Sequence, residues 1–297
     1  RNELLFKAAK AYWKWYSTDQ SLTAYERAIA TAQEVYAFTL RAFKAGDASA
    51  MDTLDARALL TTWQSEYYSA RKSAIEARYD ASTWLWNEEG APVVLDINTR
   101  PAEQRISITD YPTLDPATHP LWQYNSQKER QFALKKRLAN EYLKPKVAVG
   151  GALLLPGNFQ SVPEVGNLNT ADRVLKAKVE VPLFLREGRG YSKSTKLQLE
   201  QFQWERSASE NAWTNELQAA AQSIIALEEA TRASEENQKI MEALLRAEQR
   251  KLELGDSELI KVNLRTNYFM KSLIQTAKYR AELGTKRAEF AQLSAAF

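Results

Sequence analysis

The sequence predicts a mainly α chain built from long antiparallel coiled-coil helical hairpins, present twice, with a small mixed segment and one β-hairpin between the copies. Three observations predict it. Apolar residues recur every seven positions along most of the chain, the helical pattern halts twice at a Gly-Asp turn, and a single stretch switches to two-residue alternation.

Taken in order, residues 2–44 carry an apolar column through Ala8, Trp15, Leu22, Ile29, Tyr36 and Phe43, which ends at Ala45-Gly46-Asp47. This is a heptad helix with a glycine stop. The pattern resumes with Leu60, Tyr67, Ala74 and Ala81, so residues 1–86 form a first helical hairpin. Residues 87–120 break the periodicity with Gly90, Pro92, Pro101, Pro112, Pro116 and Pro120 and hold two short β-like runs, 93–95 and 105–109. They predict a small mixed collar. A helix follows over 121–143 and stops before Pro145.

Residues 144–187 predict the β-hairpin. In 175–183, Leu175, Ala177, Val179 and Val181 alternate with Lys176, Lys178 and Glu180. In 146–156, Val147, Val149, Gly151, Leu153 and Leu155 share one face, and Ala148, Gly150 and Ala152 share the other. The connecting 157–170 stretch is rich in Gly, Asn, Pro and Ser, which is loop chemistry. Strands of about 9–11 residues, apolar on one face and charged on the other, suit a barrel wall between lipid and a wet lumen. They equally suit a surface hairpin on a soluble helical domain, and the helices must decide.

Residues 188–297 hold the second helical hairpin. Its ascending column, Leu217, Ile224, Leu245 and Leu252, is interrupted by Thr231 and Gln238 and ends at Leu254-Gly255-Asp256. The two glycines lie 209 residues apart, and the same offset carries Ala8 onto Leu217, Trp15 onto Ile224, Tyr36 onto Leu245 and Phe43 onto Leu252. Register and turn repeat together, which marks an internal duplication. The return column is Phe269, Thr276, Leu283 and Phe290. The second ascending helix, read from about residue 190 to 254, is roughly 65 residues and close to 100 Å long. Its sparse apolar columns fit a hollow tube of helices better than a fat core.

Composition excludes several classes. With 44% hydrophobic residues, a mean hydropathy of −0.49 and no long uninterrupted apolar window, a helical-bundle membrane protein is ruled out, leaving barrel or soluble protein. A net charge of +3 implies no nucleic-acid partner. With one histidine, no cysteine and no phosphate loop, the usual catalytic and metal-binding constellations are absent, and an enzyme is not expected. His119 beside Pro120 reads as a helix-start turn residue. The pairs Glu228-Glu229 and Glu235-Glu236 read as charges flanking a heptad seam, and most of the eight tryptophans as packing residues.

Several stretches together resemble the TolC-type outer-membrane efflux proteins. His119-Pro120-Leu121 opens a helix, Leu143-Lys144-Pro145 leads into the first strand, and Val181-Pro182-Leu183-Phe184 followed by Gly188-Arg189-Gly190 leads out of the second. The stretches 43–57 and 250–295 look like that family's two periplasmic hairpins. The resemblance covers essentially the whole chain. It implies an α-barrel protomer carrying one hairpin of an outer-membrane β-barrel. It also implies a passive, homotrimeric exit duct of a tripartite efflux or type I secretion system in a Gram-negative cell. Family members carry two strand hairpins per protomer around a twelve-stranded barrel. By the offset Arg1 matches Glu210, so the other strand hairpin is expected upstream of Arg1.

The resemblance further implies outer-membrane lipid, a periplasmic adaptor (membrane fusion protein) and an inner-membrane pump as partners, with no cofactor. The adaptor-contact tips are then Gly46-Asp47 and Gly255-Asp256. A periplasmic gate falls on Asp52, Asp55 and Lys261, with an Asp52–Lys261 latch between neighbouring hairpins, and Lys176, Lys178 and Glu180 face the lumen. Each has a plainer reading as well. Gly-Asp ends one helix and caps the next, and the charges are solvated faces of a helix or hairpin. A soluble coiled-coil scaffold or adaptor, binding partner helices, is the alternative for the whole chain.

Overall fold

The computed structural model describes residues 2–102, 119–153, 173–181 and 185–295. The β-like run at 105–109, the loop at 157–170 and Leu155 lie outside them. The described elements are α1 (Asn2–Ala45), α2 (Ala50–Ser82), α3 (Pro120–Glu141), β1 (Lys146–Leu153), β2 (Arg173–Glu180), α4 (Arg186–Glu253) and α5 (Leu259–Leu293). The chain divides into two compact units, one holding the residues before 103 and after 212, the other those from 119 to 212.

In the larger unit, α1, α2, α5 and the C-terminal part of α4 pack around a cluster that includes Ala28, Ala32, Ala56, Trp63, Leu245, Val262, Phe269 and Met270. Its first-copy half is small. On α1 the buried stripe runs through Ala24, Ala28, Ala32, Val35 and Thr39, a three-and-four spacing. The predicted seven-step column lies mostly beside it: Trp15 is buried, but Leu22, Ile29 and Tyr36 are half-buried and Phe43 is exposed. On α1 and α2 alanine forms much of the seam. In the second copy Ile224, Leu245, Phe269, Thr276, Leu283 and Phe290 of the predicted columns are buried, while Leu217 and Leu252 are half-buried.

The two turns share one geometry. Gly46 N–H donates to Phe43 O (3.1 Å) and Asp47 N–H to Ala42 O (2.9 Å). Gly255 N–H donates to Leu252 O (3.1 Å) and Asp256 N–H to Lys251 O (2.8 Å). Both are Schellman endings, with glycine at φ 89° and 79°, a region that a side chain disfavours.

After α2 the chain folds back over its own helix. Val93 N–H donates to Leu85 O (2.9 Å) and Leu95 N–H to Ser82 Oγ (3.1 Å). The predicted strand at 93–95 is therefore not formed; the region holds only an isolated bridge between Trp86 and Pro92. Its backbone groups bond to the end of α2 instead, and Leu95 packs against Trp15, Ala77 and Ala81. Tyr12 hydroxyl donates to Ala102 O, and Arg100 pairs with the buried Asp19 at 2.5 Å, fixing the segment to α1.

In the smaller unit α3 starts at His119, whose Nδ1 accepts from Leu121 N–H (3.2 Å) ahead of Pro120 at the first helical position. Arg206 of α4 bridges Glu129 on α3 and its own Glu210 (2.8 Å). Helix α4 is 68 residues long and begins at Arg186, earlier than predicted, so Gly188 and Gly190 lie inside it. Gly188 eases a close approach there, since a Cβ would stand 3.1 Å from both Tyr142 O and the Leu143 side chain. No described helix is long and apolar enough to cross a membrane.

Candidate functional site

The hairpin strands pair antiparallel with Lys146 opposite Glu180, Ala148 opposite Lys178 and Gly150 opposite Lys176. Period-two geometry puts these on one face. Lys178 Nζ lies 3.8 Å from Glu180 Oε2. Because Lys176 and Lys178 face glycine and alanine, their stems have room to extend. The other face pairs Val147 with Val179, Val149 with Ala177 and Gly151 with Leu175. Those side chains are bare: Val147, Val149, Leu175 and Val179 are 68, 72, 84 and 64% exposed. A two-stranded ribbon with an uncovered aliphatic face is not stable in water by itself. It calls for lipid or for further strands.

The helical tips form the second feature. Gly46, Asp47, Gly255 and Asp256 are all exposed. Met51 and Leu54 stand exposed after the first turn, and Leu254, Ile260 and Leu264 flank the second. Sequence reasoning missed these apolar residues. Their outward phase beside a tip glycine was the available signal.

Asp52 and Lys261 occupy the same place in their copies, three residues past Ser49 and Glu258, and do different things. Ser49 caps α2: its Oγ accepts from Asp52 N–H (3.1 Å), while Asp52 Oδ2 accepts from Ser49 N–H (2.9 Å). This is a capping box. The bonds from Ser49 hold the Asp52 carboxyl below its ordinary range. Lys261 lies 3.8 Å from Glu258, which starts α5 without a side-chain cap bond. Among the described residues no ion pair joins Asp52 to Lys261. Asp55 is exposed on α2.

The second turn is held from the side. Ser257 Oγ donates to Glu248 Oε1 (2.5 Å), and Arg265 approaches Oε2 of the same carboxylate (3.7 Å). The serine bond, then the charges of Lys251, Arg265 and Lys261, lower the Glu248 carboxyl. Farther along, Glu235 pairs with Arg280 (2.7 Å) and Glu228 with Arg287 (2.6 Å), a seven-residue step on both helices. The predicted seam-flanking glutamates are thus cross-helix ion pairs. On the turn side of the Glu235–Arg280 pair, Ser234 and Thr276 share a buried hydrogen bond at 2.8 Å.

Neither a protein-family model nor a curated protein matches the sequence. Solved structures do match over 99% of the chain. A membrane protein from Pseudomonas aeruginosa superposes with a TM-score of 0.83 at 12% identity, and 68% of that chain is covered. The CmeC outer membrane channel of Campylobacter jejuni gives 0.76 at 11% identity, covered to 62%. The outer membrane protein VceC of Vibrio cholerae gives 0.79 at 11%, covered to 70%. The chain has the fold of these membrane proteins, the fold that the TolC-type resemblance implies, and it spans about two thirds of their length.

Proposed function

We propose that this chain is the greater part of a protomer of a passive outer-membrane exit duct serving an efflux or secretion machine in a Gram-negative cell. The observation that carries the reading is the β-hairpin, with a bare aliphatic face opposite a Lys/Glu face. The likeness to outer-membrane channels supports it. In a homotrimer the aliphatic face meets lipid, while Lys176, Lys178 and Glu180 wet the lumen. Mixed charge keeps such a duct hydrated without selecting one cargo strongly. The duct performs no catalysis, needs no cofactor and leaves the choice of cargo to the inner-membrane pump.

The tips at Gly46-Asp47 and Gly255-Asp256 would receive a periplasmic adaptor, with Met51, Leu54, Leu254 and Ile260 as the apolar contacts. Asp52, Asp55 and Lys261 would form the gate region, Asp52 reaching a neighbouring hairpin only by leaving its capping box.

The test is light scattering and negative-stain imaging of the full-length protein in detergent, followed by conductance in planar bilayers. An elongated trimer with a detergent belt at one end is the expected result. A detergent-independent monomer or dimer would overturn it in favour of the soluble coiled-coil scaffold. Lys261→Glu should raise the conductance of the assembled channel if the latch exists, and an unchanged conductance removes Lys261 from the gate.

A further inference from the structure

Helices α3 and α4, which lead into and out of the β-hairpin, lie side by side and present two unlike flanks. Contacts across the pair mark them. On one flank Gln203 donates to Glu129 (3.1 Å), and Arg206 bonds to the same carboxylate. On the other Tyr142 and Tyr191 meet edge to face, with ring centroids 5.6 Å apart. Steps of about 100° per residue from these marks place Arg130 and Arg137 of α3, and Arg189, Lys193 and Lys196 of α4, on the first flank. All five are exposed. The acids of that flank are matched: Glu129 by Arg206, Glu141 by Lys144 and Glu200 by Lys196. Arg130, Arg137, Arg189 and Lys193 form no ion pair among the described residues.

Lys146 tells which flank continues the aliphatic face of the hairpin. It stands on the charged strand face, opposite Glu180, and lines a groove of ≈ 460 Å³ with Tyr142, Glu187 and Tyr191. The charged face therefore runs on into the tyrosine flank, and the bare face of Val147, Val149 and Val179 runs on into the basic one.

We propose that the basic flank binds the headgroups of anionic phospholipids, in the leaflet on the helical side of the hairpin. The inference rests on the duct reading and deepens it by naming the lipid. Arg137 lies about 6 Å from the hairpin end of α3, and Arg189 and Lys193 about 5 and 10 Å from that of α4. The headgroup layer beside a hydrocarbon core is roughly 5–8 Å thick, so long basic side chains reach its phosphates from all three positions. The sign of the flank selects the lipid. A headgroup without net charge gains little from unmatched cations, whereas a net negative one supplies the counter-charge that this flank lacks.

The experiment is native mass spectrometry of the full-length protein in dodecyl maltoside, with phosphatidylglycerol and phosphatidylcholine of the same acyl chains added at equal mole fraction. At least fivefold more phosphatidylglycerol than phosphatidylcholine retained per protomer is the expected result. The triple change Arg137→Gln, Arg189→Gln and Lys193→Gln should cut that preference below twofold with an unchanged thermal transition. Arg41→Gln, Lys44→Gln and Arg57→Gln together, which remove the same charge from exposed places on the first helical hairpin, should leave it intact. Arg189→Gln with Lys193→Gln serves if the triple variant does not fold. Glycerol 1-phosphate, the headgroup without its chains, should not be retained, and its retention to the same extent overturns the membrane source. A preference that survives in the folded root variant, or falls equally in the control, overturns the proposal. So does a detergent-belted trimer that retains both lipids equally, and in that case the duct reading stands. A protein that needs no detergent removes the duct reading and this inference with it.

Discussion

The two helical hairpins share a turn whose paired backbone bonds agree to about 0.1 Å, but they fill the seams beneath it differently. Ala42, Phe43, Gly46 and Asp47 make the same pair of backbone bonds as Lys251, Leu252, Gly255 and Asp256. The seams beneath differ. In the cluster where they meet, the first hairpin supplies Ala28, Ala32, Ala56 and Trp63 and the second Leu245, Val262, Phe269 and Met270; beyond it the first closes on Trp15, Ala77 and Ala81 and the second on Ile224, Leu283 and Phe290. The second adds the Glu228–Arg287 and Glu235–Arg280 pairs. Register in a duplicated coiled coil can therefore be kept by the turn while the filling drifts from small residues to large ones. The tips differ too, one locked by a capping box and the other held by Glu248 from outside the turn.

The largest test of that contrast lies in the core. Phe269→Ala removes a buried ring and should cost about 3–5 kcal/mol. Leu60→Ala, at the matching but half-buried place in the first copy, should cost less than half as much. Urea unfolding of the purified protein measures both, and equal losses would erase the distinction between the seams.

Next comes Gly284. A Cβ there would stand 2.0 Å from the Trp13 ring, so Gly284→Ala must displace a buried indole and should cost about 1–3 kcal/mol. Its counterpart Ile75 is partly exposed, and Ile75→Ala should lie within about 0.5 kcal/mol of wild type. Thermal unfolding separates the two.

The tips carry the smallest effects. Ser49→Ala should cost about 1 kcal/mol and Glu258→Ala only a few tenths, since no side-chain cap bond is lost. The double change Glu258→Ser with Lys261→Asp should install a capping box and stabilise the second turn. The cap also carries a pH signature. The folded-state pKa of Asp52 is depressed, so its contribution is complete above the ordinary value of 3.8 and is lost as pH falls through the lower folded value. Stability followed from pH 7 downward should fall less in Asp52→Asn than in wild type. Parallel curves would detach the capping box from acid sensitivity.

The turns and the second-copy column were legible in the sequence because glycine at a left-handed stop and large apolar residues every seventh place are strong local signals. The alternation of Lys176, Lys178 and Glu180 with Leu175, Ala177 and Val179 was equally plain, and the pairing register keeps it. The α1 stripe was not legible, because alanine scores weakly in any hydrophobic column, and its burial depends on how closely a partner helix approaches. Nor was the path of 93–95: three β-prone residues carried no hint that their backbone would bond to Leu85 and Ser82. The capping box was visible as Ser49 three places before Asp52, but the charge of Asp52 drew attention to a gate. The basic flank escaped altogether, since Arg137 and Arg189 share a side only once α3 packs against α4.

The seating of Trp13 on Gly284 also sets an order of assembly. Its two partners are 271 residues apart in the chain, so the first helix docks on the last only after nearly everything between has been made. At about 5–20 residues per second that interval is roughly 15–55 s. Throughout it the face of α1 that carries Trp13 lacks the cover that α5 gives it in the folded chain.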